Sequence, residues 1–213
     1  LFSGKPNFKK IFSEKYPSLS KSEKHFIDNE VEELCRISKD EEIYENKNLP
    51  PKVWKYLKDN RFFGMIIPKK YGGLEFSAFG HSEIIQKLSS RSAPLAITAM
   101  VPNSLGPAEL LLNYGTDEQR DYYLPRLASG TDIPCFALTE PNAGSDATSI
   151  SSHGVLFKDS DDNIKIKLNW SKRYITLGAV ATIIGLAFKL KDPDNLLGMG
   201  VDLGINCALI PNN

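Results

Sequence analysis

The order of periodicities along these 213 residues predicts an α+β protein with helices and sheet in separate layers. Three observations carry this. Apolar residues recur at helical spacing up to about Gly130, and after Ile133 they alternate or run in short blocks instead. Neither half contains a GxGxxG or GxxxxGK[ST] loop, which argues against a Rossmann or P-loop architecture. The chain divides into an N-terminal extension (1–19), a helical domain (20–132) and a β domain (133–213).

The helical elements come in order. Ser20 and Glu23 form a capping box, and Ile27, Val31, Leu34 and Cys35 fall at i, i+4, i+7 and i+8 behind it. Pro50-Pro51 suits the first turn of a helix carrying Val53, Trp54 and Leu57. Tyr71-Gly72-Gly73 is a turn. From about Ser77 to Tyr114 the chain is apolar and rich in small residues. It predicts two buried helices, broken near Pro102 and Pro107. Thr116 and Gln119 make a second capping box, before a helix that Pro125 is expected to kink or shorten.

In the second half, 155–157 and the alternating Ile164, Ile166 and Leu168 read as strands around an Asp161-Asp162-Asn163 turn. Further strands are expected at 174–176, 179–190 and 205–210. The longest apolar run, Ala179 to Phe188, is too short to cross a bilayer as a helix.

Basic and acidic side chains balance at 26 each, so no general field draws the chain to nucleic acid or an anionic membrane. Three widely spaced cysteines form no CxxC pair, and the scattered His25, His81 and His153 sit at no ligand spacing. Neither a disulfide framework nor a metal site is expected. The chain opens on Leu1 rather than methionine and stops at Pro211-Asn212-Asn213, after a strand-like run. It is therefore read as an excerpt.

The most informative stretch is FALTEPNAGSDATS, Phe136 to Ser149. An apolar strand ends at Thr139, whose hydroxyl both donates and accepts. Pro141-Asn142 opens a turn, and Gly144 permits a positive φ and close backbone approach. Ser145 and Asp146 can cap the next turn, and successive free N–H groups there would form an anion-binding nest. The same residues also suit an ordinary capped turn.

The stretch resembles the TEPxAGSD signature of the acyl-CoA dehydrogenase family. IPKKYGG (67–73), YGTDEQRDYYLPRLASG (114–130) and KRYITLG (172–178) are similar to further segments of that family, in the same order along nearly the whole chain from about residue 20. VPNSLGPAELL (101–111), GLAFKLKDPDNLLG (185–198) and the opening LFSGKPNF resemble the large proteobacterial FadE-type branch. Tyr174 stands where the family usually has tryptophan.

The resemblance implies a helical N-terminal domain followed by a β-barrel-like middle domain. The family's C-terminal helical bundle, with its catalytic glutamate, would be absent from this chain. It implies FAD as cofactor, contacted by Phe136, Leu138, Thr139, Gly144, Ser145, Tyr174, Ile175 and Thr176, with Ser145 also meeting the substrate. Glu140 and Asp146 are read as turn and cap residues, and no catalytic residue is assigned here.

The implied reaction is the first step of fatty acid β-oxidation. An α proton of a fatty acyl-CoA is removed, a hydride passes to the flavin, and trans-2-enoyl-CoA forms. The chain alone would then be inactive. The implied partner is electron-transfer flavoprotein, and the implied assembly a homo-oligomer. The implied location is cytoplasmic, with inner-membrane association through segments outside this chain. Alternatives on the same fold are an acyl-CoA oxidase, a flavin monooxygenase or a non-catalytic flavin-binding module.

Overall fold

The structure is a computed structural model that describes residues 4–13 and 16–212; the opening Leu1–Ser3 of the 1–19 extension lies outside them. Helices come first: α1 (Phe8–Ser13), α2 (Lys21–Phe26), α3 (Glu32–Ile37), α4 (Asp40–Asn46), α5 (Pro51–Asp59), α6 (Ala78–Arg91), α7 (Ala93–Ser104), α8 (Ala108–Tyr114) and α9 (Asp117–Ser129). Strands come after them: β1 (Pro134–Ala137), β2 (His153–Lys158), β3 (Ile164–Asn169), β4 (Ile183–Lys191) and β5 (Asp202–Pro211). The layers are segregated, as the change of period at Ile133 predicts.

Both capping boxes form, at Ser20/Glu23 and at Thr116/Gln119. The helix behind Ser20 is not uniform: a π-helical turn, Ile27–Val31, joins α2 to α3. The expected face survives, with Val31 and Leu34 fully buried. They join Phe26, Phe62, Phe63 and Leu88 in the core of the helical lobe. Burying such side chains is worth roughly 1.5–3 kcal/mol each.

One proline expectation needs correction. Helix α7 runs through Pro102 to Ser104, and the break falls later, at Leu105–Pro107. A further break at Ser92 separates α6 from α7, so three helices stand where two were expected. Tertiary contacts hold α7 past its proline. The buried Asn103 amide donates to the Phe62 and Ala99 carbonyls at 2.7 and 2.8 Å and accepts from the Ile66 N–H at 3.2 Å. Pro125 likewise lies inside α9, which ends at a left-handed Gly130 cap. The segment Ala93–Tyr114 is long and apolar enough to cross a membrane, but it is split at Leu105–Pro107 and its Leu95, Ala96, Ala99 and Val101 are buried in this fold.

One carboxylate ties two helix starts together. Glu23 accepts from the Ser20 N–H at 2.7 Å and from the Ser77 N–H and hydroxyl at 2.7 and 2.6 Å. It thus completes the box of α2 and holds the serine that caps α6. Gly80 makes this possible, because a Cβ there would run into the Glu23 carboxylate. Burial alone would raise the Glu23 pKa; the Ser77 and Ser20 hydrogen bonds outweigh it and pull the value down to about 2.

Strand β4 organises the sheet. Its first half pairs in parallel with β1, from Pro134↔Ile183 to Ala137↔Leu186. Its last residues pair in parallel with β2, and β5 lies antiparallel along its length. Strands β2 and β3 form the expected hairpin around Asp161-Asp162-Asn163. One face of β4 meets the helices. Ile183 and Leu209 pack with Leu111, Leu124, Leu127 and Ile67. The other face carries Leu186, Phe188 and Leu190 with Ala137 and Leu156.

The expected strand at 174–176 does not form. Tyr174 and Leu177 adopt left-handed backbone at φ 56° and 64°, which is incompatible with an extended run, and turns occupy Thr176 to Val180. Strand β4 accordingly starts at Ile183, later than expected.

Glu23 makes stability pH-dependent. Its folded pKa lies below the unfolded value of about 4.5, so its contribution is present above that value and lost as pH falls toward 2. Glu23→Gln should lower unfolding free energy at pH 6 by about 3 kcal/mol and flatten the loss between pH 5 and 3. Urea unfolding at pH 6, 5 and 3 measures both; an unchanged slope would remove Glu23 from the acid transition.

Candidate functional site

The signature stretch folds as a strand end, a tight turn and a short 3₁₀ turn. Glu140 and Ala143 pair across the turn, with N···O distances of 3.0 and 3.3 Å. Asp146 precedes the next turn, Ala147–Ser149, and makes no side-chain bond to its free N–H groups. Its backbone carbonyl accepts from the Ser149 N–H, and its carboxylate accepts from the Thr148 and Ser149 hydroxyls. These hydroxyl bonds hold the Asp146 carboxyl below the usual carboxylate range.

Glu140 is not a solvated turn residue. It forms an ion pair with Lys172 at 2.8 Å, with side-chain exposures of 3% and 1%. Its carboxylate also accepts from the Ser151 N–H and hydroxyl, at 2.6 and 2.7 Å, and from the Ser152 N–H at 3.0 Å. Burial would raise its pKa; Lys172 and the serine donors more than offset that and hold the carboxyl well below the usual range. Lys172 Nζ donates in addition to the Leu138 carbonyl at 3.0 Å, and the Arg173 N–H donates to the Thr139 carbonyl at 3.1 Å. Two consecutive carbonyls at the end of β1 are therefore held by two consecutive residues of the 172–176 segment.

The sequence-predicted residues divide between the faces of the sheet. The ring of Phe136 lies on Gly185, where a Cβ would sit 2.7 Å from ring carbon Cδ2. Phe136 and Gly185 line a cleft of about 380 Å³ with Leu111, Tyr114, Cys207 and Leu209. Leu138 packs beside Phe136 against Ala143, Ile150 and Ala187. Ile175 lies on the opposite side, against the cluster containing Ala137 and Leu186. It also enters a second, more apolar cleft of about 470 Å³, walled by Ile43, Leu49, Trp54 and Thr98 of the helical lobe and by Leu177 and Val180.

Thr139 is half-buried, and its hydroxyl has no hydrogen-bond partner among the described residues. Tyr174 is 79% exposed, its ring under the Arg173 guanidinium at 4.3 Å and its hydroxyl accepting from Arg173 at 2.5 Å. Thr176 is exposed in the adjoining turn. Gly144 does not use the positive φ open to a glycine, and a Cβ there would meet nothing within 4 Å. It and Ser145 are exposed, and the N–H groups of Gly144, Ser145 and Asp146 bond no protein acceptor among the described residues. These three N–H groups are open to solvent, and none of 144–146 takes the left-handed backbone of an αR–αL nest. No His, Cys, Asp and Glu grouping suited to a metal occurs among the described residues.

Lys172 and the Ser151-Ser152 pair escaped the sequence reading. The signal was present: a glutamate placed close after the apolar run 136–138 must either turn outward or find a cation.

The chain is thus a helical lobe on a mixed sheet, with a polar turn at the end of β1. Residues 14–131 match the acyl-CoA dehydrogenase N-terminal domain, and residues 135–213 match the acyl-CoA dehydrogenase middle domain. The chain belongs to the acyl-CoA dehydrogenase family. The human mitochondrial very long-chain specific acyl-CoA dehydrogenase is 30% identical over 209 residues, 93% of this chain and 30% of that protein. A chain in the solved structure of the electron transferring flavoprotein of Acidaminococcus fermentans superposes with a TM-score of 0.77 at 25% identity, over 93% of this chain and 50% of that one. The FAD complex of PigA superposes at 0.74, with 24% identity and the same coverage. The chain thus spans about half the length of these structures and less than a third of the human relative.

The close seating of Phe136 on Gly185 gives a direct test. Gly185→Ala should displace the ring and cost about 1–3 kcal/mol. Thermal unfolding of the single variant, and of Gly185→Ala with Phe136→Leu, reads this. Equal loss in both would show that the ring is not what the Cβ meets.

Proposed function

We propose that this chain supplies the N-terminal and middle parts of an FAD-dependent fatty-acyl-CoA dehydrogenase that converts an acyl-CoA to its trans-2-enoyl-CoA. The observation that carries the reading is the signature turn itself. At the end of β1 it offers an unpartnered hydroxyl at Thr139 and a run of free N–H donors at 144–146. FAD, the cofactor of this family, presents a polar ring edge and a pyrophosphate, and these donors suit both.

Bound FAD supplies the two-electron acceptor for the desaturation. The residues of this chain bind and orient. Thr139 would hydrogen-bond the polar edge of the ring, Phe136 and Leu138 would give it apolar contact, and Gly144 and Ser145 would meet the pyrophosphate. Tyr174 and Thr176, both exposed, would line the remaining part of the ring, Ile175 would face the acyl-chain cleft, and Ser145 would reach the acyl-CoA. The apolar cleft between the helical lobe and 175–180 would take the acyl chain. No carboxylate of this chain is assigned as the base. Glu140 is engaged by Lys172, and Asp146 by Thr148 and Ser149. The electrons leave to an electron-transfer flavoprotein, and the full-length enzyme works in the cytoplasm as a homo-oligomer.

The full-length protein should bind FAD and bleach it on addition of a long-chain acyl-CoA. Thr139→Val should weaken FAD binding about tenfold, the loss of one hydrogen bond to a buried polar edge. Rapid reoxidation of the reduced protein by oxygen alone would replace the dehydrogenase by the oxidase reading. Absence of flavin would overturn both.

A further inference from the structure

We propose that Lys172 is a positioning residue of the flavin site: with Glu140 it locks the two segments that would contact the ring, 136–139 and 173–176, into one fixed frame. The inference rests on the FAD reading above and adds to it two residues that touch neither cofactor nor substrate.

Three observations point the same way. First, among the described residues this is the ion pair with both side chains almost fully buried; the others are exposed on at least one side. A buried pair is weak as a source of net stability, because desolvating both charges offsets their attraction. Something other than stability then has to account for its geometry. Second, the lysine does more than neutralise Glu140. It also takes the Leu138 carbonyl at 3.0 Å, while its neighbour Arg173 takes the Thr139 carbonyl at 3.1 Å. Both carbonyls belong to residues assigned to the ring, and both donors lie directly before Tyr174, Ile175 and Thr176. Third, no β ladder joins the two segments. Strand β1 ends at Ala137, and 171–175 is irregular with a left-handed Tyr174. The regular hydrogen bonding that would otherwise fix their spacing is missing, and the Lys172–Glu140 bond spans 32 residues of sequence to replace it.

The far end of the glutamate extends the frame. Ser151 and Ser152 hold its carboxylate just before β2, so the same group anchors the turn that carries the free N–H donors. Ring-contacting residues and anion-facing donors therefore share one reference point.

Lys172→Met alone leaves Glu140 buried and uncompensated, and loss of folding there says little. The informative variant is Lys172→Met with Glu140→Gln, which removes both charges together, read beside Lys172→Arg and the exposed-pair control Lys191→Met. In full-length protein the double variant should unfold within a few degrees of wild type. It should nevertheless bind FAD at least tenfold more weakly, with an altered visible circular dichroism of the bound flavin. Lys191→Met should change neither. Wild-type FAD affinity and flavin spectrum in the double variant would overturn the inference while leaving the FAD reading intact. If wild-type protein binds no FAD, the reading and the inference fall together.

Discussion

A single buried charge pair governs the geometry of the β1 end. Glu140 sits just past an apolar strand and has no route to water, so it needs a cation and several donors. Lys172 and two serines supply them. Once that requirement is met, the turn at 140–143, the exposed N–H run at 144–146 and the placement of 173–176 have little freedom left. The polar groups of this turn are thus tied to a carboxylate that is itself buried.

The helical lobe and the sheet are joined by a similar device at their boundary. Arg126 near the end of α9 forms a bidentate bond with Asp132, at 2.6 and 3.0 Å. Asp132 accepts from Thr182, whose hydroxyl accepts the Ile133 N–H. This chain of bonds crosses from α9 to the entry of β4, beside the apolar contacts of Ile183 and Leu209 with α8 and α9. The Glu23 double cap does the same work inside the helical lobe. Each lobe and their junction therefore use one carboxylate with several donors to fix where segments begin.

Much of this architecture was legible in the residues. Capping boxes are local, and Ser20/Glu23 and Thr116/Gln119 could be read because the interacting atoms lie three positions apart. The 164–168 alternation and its turn gave the β2–β3 hairpin for the same reason. The features that stayed hidden were non-local. Pro102 looked like a breaker, but Asn103 reaching Phe62 holds the helix past it. Ile175 and Thr176 looked like strand residues, but β4 already has its partners in β1, β2 and β5. The residue types of the site were visible in the signature. Their division between two faces of the sheet, and the role of Lys172, depend on partners more than thirty positions away.

The central position of β4 also orders assembly. The β2–β3 hairpin closes across a short turn, whereas the Ile133–Thr182 bond beside the first β1–β4 pair spans 49 positions. Closing the longer loop carries the greater entropic cost before its contacts offset it. The hairpin is made from neighbours, while the strand end bearing Thr139 acquires its place only when β4 is present to receive it. Until β4 has been made, the Phe136–Leu138 run therefore lacks the Gly185 and Ala187 surface on which it packs.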